Sequence, residues 1–190
     1  MVRRAETWPA VGMDVTRSVD IRVEGLPVVP ADLVGGPGFY LDRPGFALGG
    51  VGVAAVWLGG AAGILDTLVR ALSGSDRVDA HQRAHLGAMG VALAGADAVL
   101  VEIATRVARG GGVTPVEATA ARSVVEAAVQ TVLARATRVT GPTPLCRDAA
   151  FAHRIADLEV YVRQHHAELD HEQVGLGLLT DHDVLARRFG

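Results

Sequence analysis

From Pro44 to Leu65 the chain reads PGFALGGVGVAAVWLGGAAGIL, a stretch without a single charged residue. Its length is about that of a bilayer-spanning helix, and Gly59 and Gly63 have the G-x-x-x-G spacing of packed membrane helices. The composition favours a different reading. Seven glycines dilute the hydrophobicity, Trp57 sits mid-segment, and no aromatic belt brackets the two ends. A helix apolar on every side is also what the centre of a water-soluble bundle requires. The segment is therefore read as the inner rod of a helical bundle, and insertion into a membrane is the rival reading.

Working outward, the first rod spans Phe46 to Leu72 and stops at Ser73-Gly74-Ser75, where Gly74 suits the left-handed stop position. A second helix runs from about Asp79 to Arg109 and ends at Gly110-Gly111-Gly112. The third opens with Thr114 as cap, Pro115 in the first turn and Glu117 closing a capping box, and runs to about Val139. After Thr140-Gly141-Pro142, a fourth helix is expected from about Leu145 to Asp170, with Ile155, Leu158 and Val162 as its apolar stripe. Four long helices with short connections predict a mainly α, up-down four-helix bundle over residues 44–172. A tail, 173–190, holds a possible short helix starting at Thr180 or Asp181 and including Val184 and Leu185.

Residues 1–43 differ in character. Val19-Asp20-Ile21-Arg22-Val23 alternates as a half-buried strand does, Val28-Val29-Pro30 is briefly extended, and Gly35-Gly36-Pro37-Gly38 is a loop signal. This is too little strand for a stable sheet and reads as a short β/loop remnant, the edge of a β-domain. The Met1–Glu6 start has two arginines with no apolar core behind them, unlike a secretory signal.

The composition narrows the function. A net charge of −3 and a pI of about 6.1 give no basic footprint for nucleic acid and no polybasic membrane anchor. The one cysteine, Cys146, excludes an intrachain disulfide and fits a reducing, cytoplasmic compartment. With 4% aromatic residues and 23 glycines, the interior is expected to be built by close approach of small side chains.

Four stretches carry a family likeness, in order. They are Trp8-Pro9-Ala10-Val11-Gly12-Met13 with Val19-Asp20-Ile21; Arg43-Pro44-Gly45-Phe46 leading into Gly50-Val51-Gly52-Val53-Ala54-Ala55; Asp79-Ala80-His81-Gln82-Arg83-Ala84-His85-Leu86-Gly87; and Leu145-Cys146-Arg147-Asp148-Ala149, Ala156-Asp157-Leu158 and Arg163-Gln164-His165-His166-Ala167-Glu168. Together they resemble the C-terminal helical-bundle domain of the acyl-CoA dehydrogenase superfamily. The resemblance implies an FAD-dependent oxidoreductase of fatty acid metabolism. Its members oxidise an acyl-CoA thioester at the α–β carbons, with a carboxylate base and hydride transfer to the flavin. It also implies a homodimer or heteromer in which the bundle contacts a neighbour's FAD. Two departures stand beside it. The Tyr-Glu-Gly segment that carries the family's base has no counterpart here, and Ser75-Asp76-Arg77-Val78-Asp79 stands where the Arg-x-Gln-Phe-Gly motif belongs. The N-terminal helical domain and most of the β-domain are also absent from the likeness. The isolated chain is accordingly expected to bind little FAD and to have no turnover. The alternative is a non-catalytic scaffold or partner subunit of a flavoprotein complex.

The candidate residues each have two readings. His165 titrates near neutral pH and is a candidate for proton transfer, or else part of a hydrated helix face with His166. Glu168, with Asp170, His171 and Glu172, positions a thioester or a cation, or is a solvated helix end. Arg147 grips a phosphate or pairs structurally with Asp148. Thr140 and Gly141 offer N–H groups to a pyrophosphate or make a plain turn, and Arg77 is the loose analogue of a flavin-contacting arginine. Cys146 reads as a packed thiol. No cluster has the ligand spacing of a strong metal site.

Overall fold

The structure, a computed structural model, describes residues 2–4 and 7–185. Two short strands, β1 (Val2–Arg4) and β2 (Asp20–Arg22), pair antiparallel with Val2 opposite Arg22 and Arg4 opposite Asp20. The helices are α1 (Phe39–Asp42), α2 (Phe46–Leu72), α3 (Ala80–Ala108), α4 (Pro115–Thr140), α5 (Thr143–Arg147), α6 (Ala149–Tyr161) and α7 (Glu168–Thr180). The protein is mainly α, a bundle preceded by a short strand and loop segment.

The three long helices begin and end where the local chemistry dictates. The side chain of Asp79 accepts from the backbone N–H of Gln82 at 2.8 Å, and Gln82 Oε1 accepts the N–H of Asp79 at 3.0 Å. Thr114 and Glu117 make the same reciprocal cap on α4, with Pro115 in its first turn. Gly74 closes the region after α2 at φ 78°. At the α3–α4 turn Arg106 ties the chain down, donating to the carbonyl of Gly112 at 2.6 Å and pairing with Glu117 at 3.0 Å.

α4, rather than α2 with its uncharged 44–65 stretch, is the inner rod. It buries residues on a broad stripe from Ala118 through Val125, Val129 and Val132 to Val139, with α2, α3 and α7 packed around it. It carries charge at Arg122, Glu126 and Arg135, and these lie between or beside neighbours. α2 buries Val51, Ala54, Trp57, Leu58, Ala61, Ile64 and Leu68 and leaves its other side open. Freedom from charge identified the helix but not its place, because small residues fill an outer face as readily as an inner one. The core joins Trp57, Ile64, Leu68, Met89, Val125, Val129, Val132 and Val162. A smaller cluster of Val51, Ile103, Ala118 and Ala121 closes the end where α2 and α4 start.

The fourth rod is not the continuous helix expected from Leu145 to Asp170. Asp148 is extended at φ −117° and caps α6, its Oδ1 accepting the N–H of Phe151 at 3.0 Å, so α5 and α6 are separate. After a 3-10 turn at Val162–Gln164 the chain breaks again and restarts as α7. That helix runs through position 172 and ends at Thr180, so the tail helix expected to begin there does not form. Val184 and Leu185 lie in a turn, and residues 186–190 lie outside the described residues.

The N-terminal arm packs on the bundle at Gly12 and Met13. Gly12 is buried against α6, where a Cβ would lie 2.0 Å from the carbonyl oxygen of Ala156, and the N–H of Met13 donates to Asp157 Oδ1 at 2.6 Å. Only glycine permits that approach. Elsewhere the arm exposes Val15, Leu26, Val28, Leu33 and Val34.

Candidate functional site

The break between α6 and α7 gathers the most polar chemistry in the interior. His165 and Asp170 are buried, at 3% and 6% relative exposure. His165 Nε2 lies 2.9 Å from Ser123 Oγ of α4 and 3.4 Å from Asp170 Oδ2. On the other side of the ring, Nδ1 accepts the backbone N–H of Ala167 at 3.1 Å. Asp170 Oδ2 in turn accepts the N–H of His166 at 3.1 Å. These bonds hold Ala167 at φ 49° and ψ −114°, a conformation an L-residue adopts only when its surroundings impose it.

A histidine, a serine and an aspartate within reach of one another invite comparison with a nucleophile triad. The bonding directions oppose it. A triad needs the proton on Nδ1, facing the carboxylate, and a free lone pair on Nε2 to take the serine proton. Here an N–H already points at Nδ1, so the neutral ring carries its proton on Nε2 and donates toward Ser123 and Asp170. Ser123 in turn donates to the carbonyl of Thr119 at 3.0 Å. Burial holds the pKa of His165 below its ordinary value. The fields of Asp170 and Glu126 oppose that shift, and those of Arg122 and His171 add to it. The ring is thus neutral near pH 7, with both nitrogens engaged.

Arg122, next along α4, extends the latch. It donates to the carbonyl of Gly50 at 3.2 Å and to that of Gln164 at 2.8 Å, and its guanidinium lies 4.7 Å from the Trp57 ring centre. One side chain thus joins α2, α4 and the end of the 3-10 turn. Arg163 reaches back to Glu126 at 2.6 Å. Neither Arg122 nor Ser123 is marked by local sequence: their partners lie 42 residues away. The only signal was a polar pair inside the apolar stripe between Ala121 and Val125.

The other candidates fall elsewhere. Glu168 is exposed in the first turn of α7, and His166 is exposed beside buried His165. The pair is therefore not one hydrated face, and Asp170 is not part of a solvated end. Arg77, Thr140, Gly141 and Arg147 collect at the opposite end of the bundle. There Gln82 Nε2 donates to the carbonyl of Val139 at 2.8 Å and draws the start of α3 to the end of α4. From Ser123 to Thr140 is about 25 Å along the helix at 1.5 Å per residue.

As a place for a flavin pyrophosphate this end does not fit within one copy. The Gly141 N–H donates to the Thr137 carbonyl at 2.9 Å, and the Thr140 hydroxyl is bonded to backbone carbonyls. The end of α4 presents carbonyl oxygens, which repel an anion, and α5 is barely a turn long. Asp148 serves as a helix cap and Arg147 is exposed; Cys146 is exposed as well, not packed. Among the described residues no group of three or more His, Cys, Asp or Glu side chains is placed to hold a metal ion.

The outer faces of α2 and α3 are the remaining feature. Both helices are long and apolar enough to cross a membrane by length and composition, and most of each apolar window is not buried within the bundle. Gly49, Gly52, Gly59 and Gly63 of α2, with Gly87, Gly90 and Gly95 of α3, are mid-helix glycines whose Cβ would meet open space. Each costs its helix roughly 0.5–1 kcal/mol relative to alanine, and no contact within the chain requires it.

Fold and site together define a helical bundle with a buried structural latch. No family model matches this chain, and no curated protein or solved structure is similar to it.

Proposed function

We propose that this chain is a non-catalytic helical subunit, which contributes binding surface to an assembly and no reacting groups. The observation that carries the reading is the N–H of Ala167 on His165 Nδ1. It fixes the tautomer in which the ring donates to Ser123, the form that cannot activate it as a nucleophile. The buried polar groups join helices, while the two longest helices keep apolar faces outward. Purified protein incubated with FAD and acyl-CoA thioesters is the test. The expected result is no retained flavin absorbance and no turnover, unchanged by Arg147→Ala or His165→Asn. A yellow preparation with one flavin per chain overturns the reading.

A second reading, a portion of an acyl-CoA dehydrogenase-like flavoprotein, is favoured by the gathering of Arg77, Thr140, Gly141 and Arg147 at one end. It needs another polypeptide to supply the flavin's remaining contacts. In that case flavin appears only after a partner is added, and Arg77→Ala with Arg147→Ala weakens its retention.

A further inference from the structure

We propose that the outer faces of α2 and α3 form the interface between two copies of this chain, each helix pairing antiparallel with its own counterpart across a single two-fold axis. The inference rests on the reading of the bundle as an assembly subunit and names its partner.

Six small or apolar exposed positions of α3 fall on a strict repeat. Ala84, Gly87, Val91, Ala94, Ala98 and Val101 are all exposed, at alternating spacings of three and four. That is the seam of a coiled coil, written on the side of the helix that faces away from the core. α2 carries the same spacing outward at Leu48, Gly52, Ala55, Gly59 and Ala62, all exposed.

The registers agree. Antiparallel self-pairing of α3 sets Ala84 opposite Val101 of the second copy, Gly87 opposite Ala98 and Val91 opposite Ala94, with the axis between Ala92 and Leu93. Val51 of α2 and Ile103 of α3 belong to one buried cluster, which fixes how the two helices lie side by side. On that alignment the same axis crosses α2 near Ala61 and Ala62, flanked by Gly60 and Gly63, where small side chains allow close approach. Charge fits as well: His81 falls opposite Glu102 of the second copy and Asp97 opposite Gly90, and no like charges meet. The two outer faces, each about 40 Å long and about 10 Å wide, offer about 800 Å² per copy, the contribution each partner makes to a stable interface.

A lipid surface fits less well. Glycine and alanine gain nothing from fluid chains and much from a facing helix backbone.

Sedimentation velocity over a micromolar dilution series tests the proposal. The wild-type chain is expected to be a dimer, and Ala94→Glu and Gly59→Glu each to weaken it by at least about tenfold while the circular dichroism spectrum stays helical. In a Cys146→Ser background, Val91→Cys with Ala94→Cys should oxidise to a covalent dimer, and a cysteine at exposed Val124 should not. A wild-type monomer overturns the proposal. So does a dimer indifferent to both glutamates, or a chain that needs detergent and floats with phosphatidylcholine vesicles. Bound flavin in a protein that still dimerises through these faces would sink the non-catalytic reading and leave this interface standing.

Discussion

Ser123 Oγ and His165 Nε2 lie 2.9 Å apart, joining α4 to the break before α7 from positions 42 residues apart in the chain. The bond holds the fourth rod, broken at Ala167, against the central helix. A buried bond of this kind contributes about 1 kcal/mol, and a buried polar group left without its partner costs about 1–3 kcal/mol. Ser123→Ala should therefore destabilise the fold by about 1 kcal/mol and His165→Ala by about 2–3 kcal/mol. In chemical denaturation the double variant should lose less than the sum, because the two side chains share one interaction. Additive losses would mean that the pair is not coupled.

Stability should rise with pH through the range where His165 titrates. Burial depresses its pKa in the folded state, against the pull of Asp170 and Glu126 and with the help of Arg122 and His171. The unfolded chain, with an ordinary imidazole pKa of about 6.5, then binds the proton at a pH where the folded chain does not, so ∂ΔG/∂pH is positive. The contribution is complete above about pH 6.5 and is lost as pH falls through the window down to the folded-state value. Urea unfolding of wild type and His165→Asn at a series of pH values should show the wild-type advantage shrinking on acidification. An advantage that grows instead would place the proton on a stabilised imidazolium.

Ala167 stands at φ 49° and ψ −114° because its N–H is held by His165. Glycine adopts that conformation at little cost, so Ala167→Gly should stabilise the fold by about 0.5–1 kcal/mol after the entropy added to the unfolded chain is subtracted. On a domain of this size that is a rise of about 1–4 °C in Tm. A fall in Tm would indicate that the backbone there is relaxed.

Most of the helical architecture was legible from spacing and caps. Phe46–Leu72 follows from the uncharged run, and the Thr114, Pro115 and Glu117 cap from three residues read together. What was not legible depended on contacts distant in sequence. Nothing near Tyr161 breaks a helix by propensity; the break arises because His165 finds Ser123 and Ala167. The placement of α2 at an outer position was hidden for a similar reason, since glycine and alanine suit a core and an interface alike. His165 was picked out by its residue type, but its role depends on which nitrogen is engaged, and no sequence pattern encodes that.

Nitrogen-15 chemical shifts of the His165 ring at neutral pH test the structural assignment most directly. A neutral imidazole protonated on Nε2, with Nδ1 shifted as a bare acceptor, is expected. A proton on Nδ1 with an unprotonated Nε2 facing Ser123 would be the form that activates a nucleophile, and it would contradict the reading of this cluster as a latch.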